Sequence, residues 1–131
     1  MPDEVIKVAE LQNGLKVAEL FHGPTLAFKD LALGVVGGLY NYFLTKSKKK
    51  CIVLVGKKRS NPICFCFFKF YLNFSGTSGD TGSAAISAVR GLPMIDIIVL
   101  LPKNRCTKIQ QLQMTTVHDE NIHNFVGKKY F

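Results

Sequence analysis

The 131-residue sequence lacks several features that would assign it to a class of function at once. No stretch reaches the roughly 18 consecutive apolar residues of a membrane span, and the opening Met-Pro-Asp-Glu has none of the basic-then-apolar layout of a secretion signal. A soluble, cytoplasmic protein with no membrane partner is therefore expected. Cysteine is sparse: Cys51, Cys64, Cys66 and Cys106 could pair in three ways, but without a secretory signal they are expected to be free thiols. Cys64-Phe65-Cys66 is too close and too apolar for half of a zinc site, and no matching Cys/His pair follows, so no metal site is expected. Acidic residues are few, 9 against 17 Lys and Arg, giving a formal charge of +8.

That charge invites a nucleic-acid partner, but its distribution argues against one. The basic residues gather at 46–50, at Lys57, Lys58, Arg59 and Lys69, and at Lys128 and Lys129, rather than along one helix face interleaved with aromatics. Without the last six of these, 11 positive side chains face 9 negative ones. A chain of this length with 47% hydrophobic residues can bury one core, as a single domain or as one lobe of something larger.

The stretch that organises the chain is Leu20-Phe21-His22-Gly23-Pro24-Thr25-Leu26-Ala27-Phe28-Lys29-Asp30. Gly-Pro marks a tight turn, and the strong helix pattern that follows puts Lys29 in a first helical turn. The positive end of a helix favours anions, so an ammonium there calls for a reason. Lys29 could snorkel to water beside Asp30, or it could be a desolvated lysine of the kind that forms Schiff bases.

Upstream, residues 5–18 read as two short extended pieces joined by the Asn13-Gly14 turn. Over 28–45 the apolar residues Leu31, Leu33, Val35, Val36, Leu39, Tyr42, Phe43 and Leu44 fall almost all round the helix, which predicts burial on most sides. Gly34, Gly37 and Gly38 each weaken a helix by roughly 1 kcal/mol against alanine, so close passage to another backbone or to a ligand is expected. Residues 51–55 form an apolar run without alternation, as in a central parallel strand, and 95–101 form a second, stopped by Pro102. A helix over 108–116 with Ile109, Leu112 and Met114 inward, and a short strand over 122–126, complete the pattern.

Between the first two strands lies Thr77-Ser78-Gly79-Asp80-Thr81-Gly82-Ser83-Ala84-Ala85-Ile86, opening a helix that runs through Val89. Free backbone N–H groups and hydroxyls at a helix start suit a phosphate or carboxylate, although the same residues could serve only as a cap. The loop has neither the Gly-x-Gly-x-x-Gly of a dinucleotide site nor the Gly-Lys-Ser/Thr of a P-loop, so NAD and ATP chemistry have no support. Strand, Gly-rich loop, helix, strand, helix, strand predicts an α/β fold, a partial doubly wound parallel sheet with ligand at the carboxyl ends of its strands.

Residues 22–30 and 77–86 together resemble the paired signatures of the threonine synthase family, fold-type II pyridoxal 5′-phosphate (PLP) enzymes. Ile97-Ile98-Val99-Leu100-Leu101-Pro102-Lys103, Cys106-Thr107-Lys108-Ile109-Gln110 and Leu112-Gln113-Met114-Thr115-Thr116 are similar to its animal threonine synthase-like branch. The resemblance covers 3–56 and 77–126. It implies that Lys29 holds PLP covalently and moves protons at the substrate carbons. It also implies that Asp80 sits beside the cofactor's ring hydroxyl, and that Thr77, Ser78, Gly79 and Thr81 grip the substrate carboxylate. The implied substrate is O-phosphohomoserine, a phosphorylated amino acid, which such lyases convert to threonine or to 2-oxobutyrate with loss of phosphate. These residues do not choose between the two products.

The chain departs from the family at 57–76, which read KKRSNPICFCFFKFYLNFSG and hold five of the ten phenylalanines with neither helix nor surface-strand period. An apolar segment of this kind, exposed, is prone to aggregate. Gly-Lys can be encoded by the splice-donor sequence GGTAAG and Phe-Ser-Gly by the acceptor-like TTTTCAGG, with a pyrimidine tract between. A second Gly-Lys-Lys opens 127–131. Both pieces read as translated intron, against a surface loop particular to this lineage. The expected organisation is thus 1–56 with the lysine and first strand, an insert at 57–76, 77–126 with the anion loop and its βαβ unit, and an atypical tail at 127–131. A fragment lacking the family's cofactor-phosphate loop is expected neither to hold PLP tightly nor to turn over substrate by itself. A non-catalytic isoform acting through protein contacts, or an unstable product of a misread gene, is the alternative.

Overall fold

The computed structural model describes residues 6–55, 71–74, 80–102 and 106–127. Strands β1 (Lys7–Glu10) and β2 (Lys16–Glu19) pair antiparallel around a single 3-10 turn at Gln12–Gly14. Asn13 and Gly14 both take positive φ there, 63° and 75°, as the Asn-Gly signal demands. Helix α1 (Lys29–Ser47) follows, then strands β3 (Cys51–Val55) and β4 (Tyr71–Phe74), helix α2 (Asp80–Val89), strand β5 (Ile95–Pro102), helix α3 (Lys108–Thr115) and strand β6 (Ile122–Gly127). The last four strands form one parallel sheet in the order β4-β3-β5-β6, which gives the expected mixed α/β architecture.

The apolar runs form the middle of that sheet because they are covered. Cys51, Val53 and Val55 of β3 and Ile95, Ile97, Val99 and Leu101 of β5 alternate inward and pack with Ala85, Ile86 and Val89 of α2, and with Met114 and Ile122. Burial pushes the Cys51 thiol above its ordinary pKa, so it is a small apolar side chain rather than a nucleophile. Asn121 ties the end of α2 to the sheet. Its amide donates to the carbonyls of Val89 and Ile95, at 2.8 and 2.7 Å, while its oxygen accepts from Gly91 N–H.

Three expectations need correction. Ile109 and Leu112 of α3 face solvent and only Met114 is inward, because an eight-residue helix laid on α2 buries a single stripe of side chains. Helix α1 is buried on one side only; Leu33, Gly37, Tyr40 and Leu44 meet the core, while Val35, Leu39, Tyr42 and Phe43 stay exposed. Tyr71–Phe74, inside the 57–76 segment that showed no strand period, adds an edge strand parallel to β3, with Ile52 opposite Tyr71 and Val55 opposite Phe74. An edge of unpaired backbone groups recruits an aromatic-rich segment without needing alternation. The remainder of that segment lies outside the described residues.

The helical glycines separate into two kinds. A Cβ on Gly37 would lie 2.5 Å from the backbone carbonyl oxygen of Ala88, so this glycine sets how closely α1 lies on α2. Gly34 and Gly38 have open space around them. Gly37→Ala should therefore destabilise by about 1–3 kcal/mol through overpacking, whereas Gly38→Ala should stabilise by up to about 1 kcal/mol through helix propensity. Urea unfolding of the two variants checks the opposite signs, and equal stabilisation by both would refute the close approach.

Candidate functional site

The loop into α1 is closed by its own side chains. Asp30, in the first helical turn, accepts from the Thr25 backbone N–H at 2.8 Å and from the Thr25 hydroxyl at 2.5 Å. Both carboxylate oxygens are thereby turned back into the loop rather than toward Lys29, which removes the pairing that would have explained Lys29 as a surface lysine. Gly23 is buried beneath the Asp30 side chain, and any Cβ there would lie 2.6 Å from that of Asp30. Leu26 carries the strain of the turn at φ 60°, a conformation that costs a non-glycine residue about 1 kcal/mol or more. No side chain caps α1, so the helix start depends on this Thr25–Asp30 closure.

Lys29 is the first residue of α1 and half-buried, with Nζ 5.3 Å from the centroid of the Phe28 ring. That separation suits a cation–π contact and holds the amine beside the loop. A cavity of about 340 Å³ lies against the loop before Lys29, within the volume range of small-molecule sites. Leu20, Phe21 and residues Thr25 to Phe28 form one wall, and Asp80 at the start of α2 forms the other. The fold thus brings Asp80 to the segment that ends at Phe28, whereas Lys29 is not among the residues that line the cavity. Thr81 lies in the same first turn of α2. Thr77, Ser78 and Gly79 lie outside the described residues.

One residue of the site was quoted in the sequence pattern but given no role. Gln110 donates from Nε2 to Asp80 Oδ1 at 2.5 Å. It is itself fixed by a capping box at the start of α3, in which Thr107 N–H donates to its Oε1 and its own N–H donates to Thr107 Oγ1. The Thr-x-x-Gln spacing is the signal that could have located it. Gln110 holds the Asp80 carboxylate in one orientation, and among the described residues no other group pairs with its second oxygen. Among the described residues no group of His, Cys, Asp and Glu could hold a metal ion, and no helix is long and apolar enough to cross a membrane.

The loop closure is directly testable. Asp30→Ala removes both acceptors and leaves the Thr25 donors unpaired, for an expected loss of about 1–3 kcal/mol in thermal or urea unfolding. Asp30→Asn, which keeps one acceptor oxygen, should recover part of that loss. Equal stability of Asp30→Ala and the natural protein would show that α1 does not depend on the closure.

No family profile matches the chain. Individual proteins do. Threonine synthase-like 2 of Pongo abelii is 50% identical over 122 residues, which is 93% of this chain and 21% of the relative. The crystal structure of threonine synthase from yeast superimposes with a TM-score of 0.72 at 38% identity, over 95% of this chain and 23% of that one. The PLP-bound threonine synthase of Brucella melitensis gives 0.71 at 30% identity, over 91% and 21%. The chain therefore spans about a fifth of the length of the relatives it matches, and across nearly all of its own residues it belongs, by sequence and by fold, to the threonine synthase family.

Proposed function

We propose that this chain, in the cytoplasm, supplies the lysine-bearing part of a PLP site of the threonine synthase type, directed at O-phosphohomoserine. The observation that carries the proposal is the single cavity with the Lys29 loop on one wall and Asp80 on the other. Its residues fit the cofactor. Phe28 and Phe21 offer flat apolar surface, the Asp80 carboxylate is held by Gln110, and the Lys29 amine lies next to Phe28, a lining residue, without itself lining the cavity. Bound there, PLP would supply the electron sink that makes the substrate's α and β hydrogens acidic. Lys29 would hold the cofactor and move protons at those carbons, as an amine free of any carboxylate partner in its own loop can. Thr81, with Thr77, Ser78 and Gly79, would bind the substrate carboxylate through hydroxyl and N–H donors at the positive start of α2. Whether the product is threonine or 2-oxobutyrate is left open by these residues.

The 131 residues span about a fifth of the length of the relatives they match, which supports weak binding by these residues alone. Treating the protein with PLP and then borohydride should fix the cofactor selectively on Lys29, readable by peptide mass spectrometry, at substoichiometric yield and with no phosphate released from O-phosphohomoserine. Lys29→Ala should abolish the selective adduct. Labelling spread evenly over the surface lysines would overturn the assignment of Lys29, and a tight stoichiometric adduct would overturn the weakness.

We further propose that 57–76 and 127–131 are intron-derived additions to the family sequence. Support comes from the Gly-Lys junction at each start and from the unpatterned Phe/Cys-rich composition. Spliced transcripts should lack the codons for both. If every mature message carries them, the segments are genuine parts of the protein and β4 is a lineage-specific edge strand.

A further inference from the structure

Helices α2 and α3 are held together by more than the Gln110–Asp80 hydrogen bond. A Cβ on Gly82 would collide with the Met114 sulfur, so α3 reaches the backbone of α2 at that point. The Asn124 amide donates to the Met114 carbonyl at 2.8 Å and ties the far end of α3 to β6. Gln110 stands four residues before Met114, on the same helix face. That placement carries it to the start of α2, where Asp80 lies two residues before Gly82.

The contact made there has a direction. A glutamine amide accepts at one end and donates at the other, and half a turn of the group exchanges the two. Here the exchange is blocked. The Thr107 backbone N–H, which can only donate, faces Oε1 at 3.2 Å, so the NH2 end is the one left for Asp80. Oδ1 of Asp80 accepts from it, and an ionised carboxylate has acceptors only. Capping α3 needs Oε1 of Gln110 alone, so the aim of Nε2 at a residue that lines the cavity is a second use of the same side chain.

We propose that Gln110 is a positioning residue of this site. The α3 capping box fixes the direction of its amide, and the amide holds Asp80 as a hydrogen-bond acceptor, so that the cavity takes a ligand that donates at that point, as a ring hydroxyl does. The ligand half rests on the PLP reading above; the direction of the contact does not.

The full chain carrying Gln110→Glu separates the two uses of the side chain. Glutamate keeps an oxygen for the Thr107 N–H and suits the positive start of a helix, so a residue that only caps α3 would leave the chain as stable as before or slightly more so. A residue that donates to Asp80 would not. Two carboxylates then meet, and the midpoint of urea unfolding at neutral pH should fall. Asp80→Asn alone should change the midpoint little, since its oxygen still accepts from Gln110. Adding Asp80→Asn to Gln110→Glu should restore the midpoint, because the new amide donates to the new carboxylate. An unchanged or raised midpoint for Gln110→Glu overturns the proposal. So does a double variant no more stable than Gln110→Glu, including the case in which neither folds.

The ligand half is read on the two stable variants, with PLP fixed by borohydride and the Lys29 yield compared with that of the exposed Lys46 in the same sample. In Asp80→Asn the oxygen is spent on Gln110 and the NH2 group is left for the ligand, so the relative yield on Lys29 should fall about tenfold, as when a hydrogen bond to a charged group is lost. In the double variant the NH2 group is spent on the carboxylate at 110 and the oxygen is free again, so most of the yield should return. Equal yields from these two variants overturn the ligand half and leave the contact to be judged by unfolding. Natural protein labelled no more at Lys29 than at Lys46 overturns the PLP reading, and the unfolding series still decides the direction of the Gln110 amide.

Discussion

The arrangement depends on the contact between α1 and α2 at Gly37. Because that residue has no side chain, the backbone of α1 reaches the Ala88 carbonyl, and the two helices lie together along their inner faces. Gly37 is eight residues beyond Lys29 and Ala88 eight residues beyond Asp80, so each contact point lies about 12 Å along its helix from the start. Helices touching at equal distances from their first residues, and running in the same direction, bring those first residues to the same end. The cavity between the Lys29 loop and Asp80 is the outcome of that geometry.

Much of this was legible from the residues. The runs at 51–55 and 95–101 became β3 and β5 because apolar runs without alternation suit strands inside a parallel sheet. One face, with Cys51, Val53, Val55, Ile95, Ile97, Val99 and Leu101, is buried, while Ile52 on the other is 38% exposed. The Asn-Gly turn was legible because few residues take positive φ, and the Gly-Pro start of α1 because proline presets the second position of a turn. Less accessible were features set by a partner in space. Nothing in the order of residues 108–115 tells that α2 covers Met114 and leaves Ile109 and Leu112 in water. The Gln110–Asp80 hydrogen bond joins two helix starts thirty residues apart, and a helix-capping glutamine is indistinguishable in sequence from one that also orients a carboxylate.

The prediction that α1 is buried all round overshot for an instructive reason. Composition records the whole environment in which a helix functions, whereas the structure shows only the neighbours supplied by the described part of this chain. Residues such as Leu39 and Phe43 satisfy the pattern of a buried helix and sit in water. A sequence selected only for the surface seen here would place polar groups at those positions, since an exposed apolar stripe brings association and no folding energy. The mismatch separates burial read from composition from burial against the described residues, in a chain that spans about a fifth of the length of its relatives.

The same logic applies to the loop before α1. Leu26 is held at positive φ, Gly23 is pressed under Asp30, and Asp30 spends both oxygens on Thr25, so the turn is over-determined by its own contacts. A loop needed only to start a helix could use a Ser or Asp cap at lower strain. What the costlier construction achieves is position: the backbone is fixed up to the residue before Lys29, and the neighbouring carboxylate is kept away from the amine. Lys29 stands at a helix start beside the Phe28 ring, and among the described residues no carboxylate pairs with it. Its placement accords with the proposal that Lys29 holds PLP, and the strained loop fixes the backbone up to the residue before it.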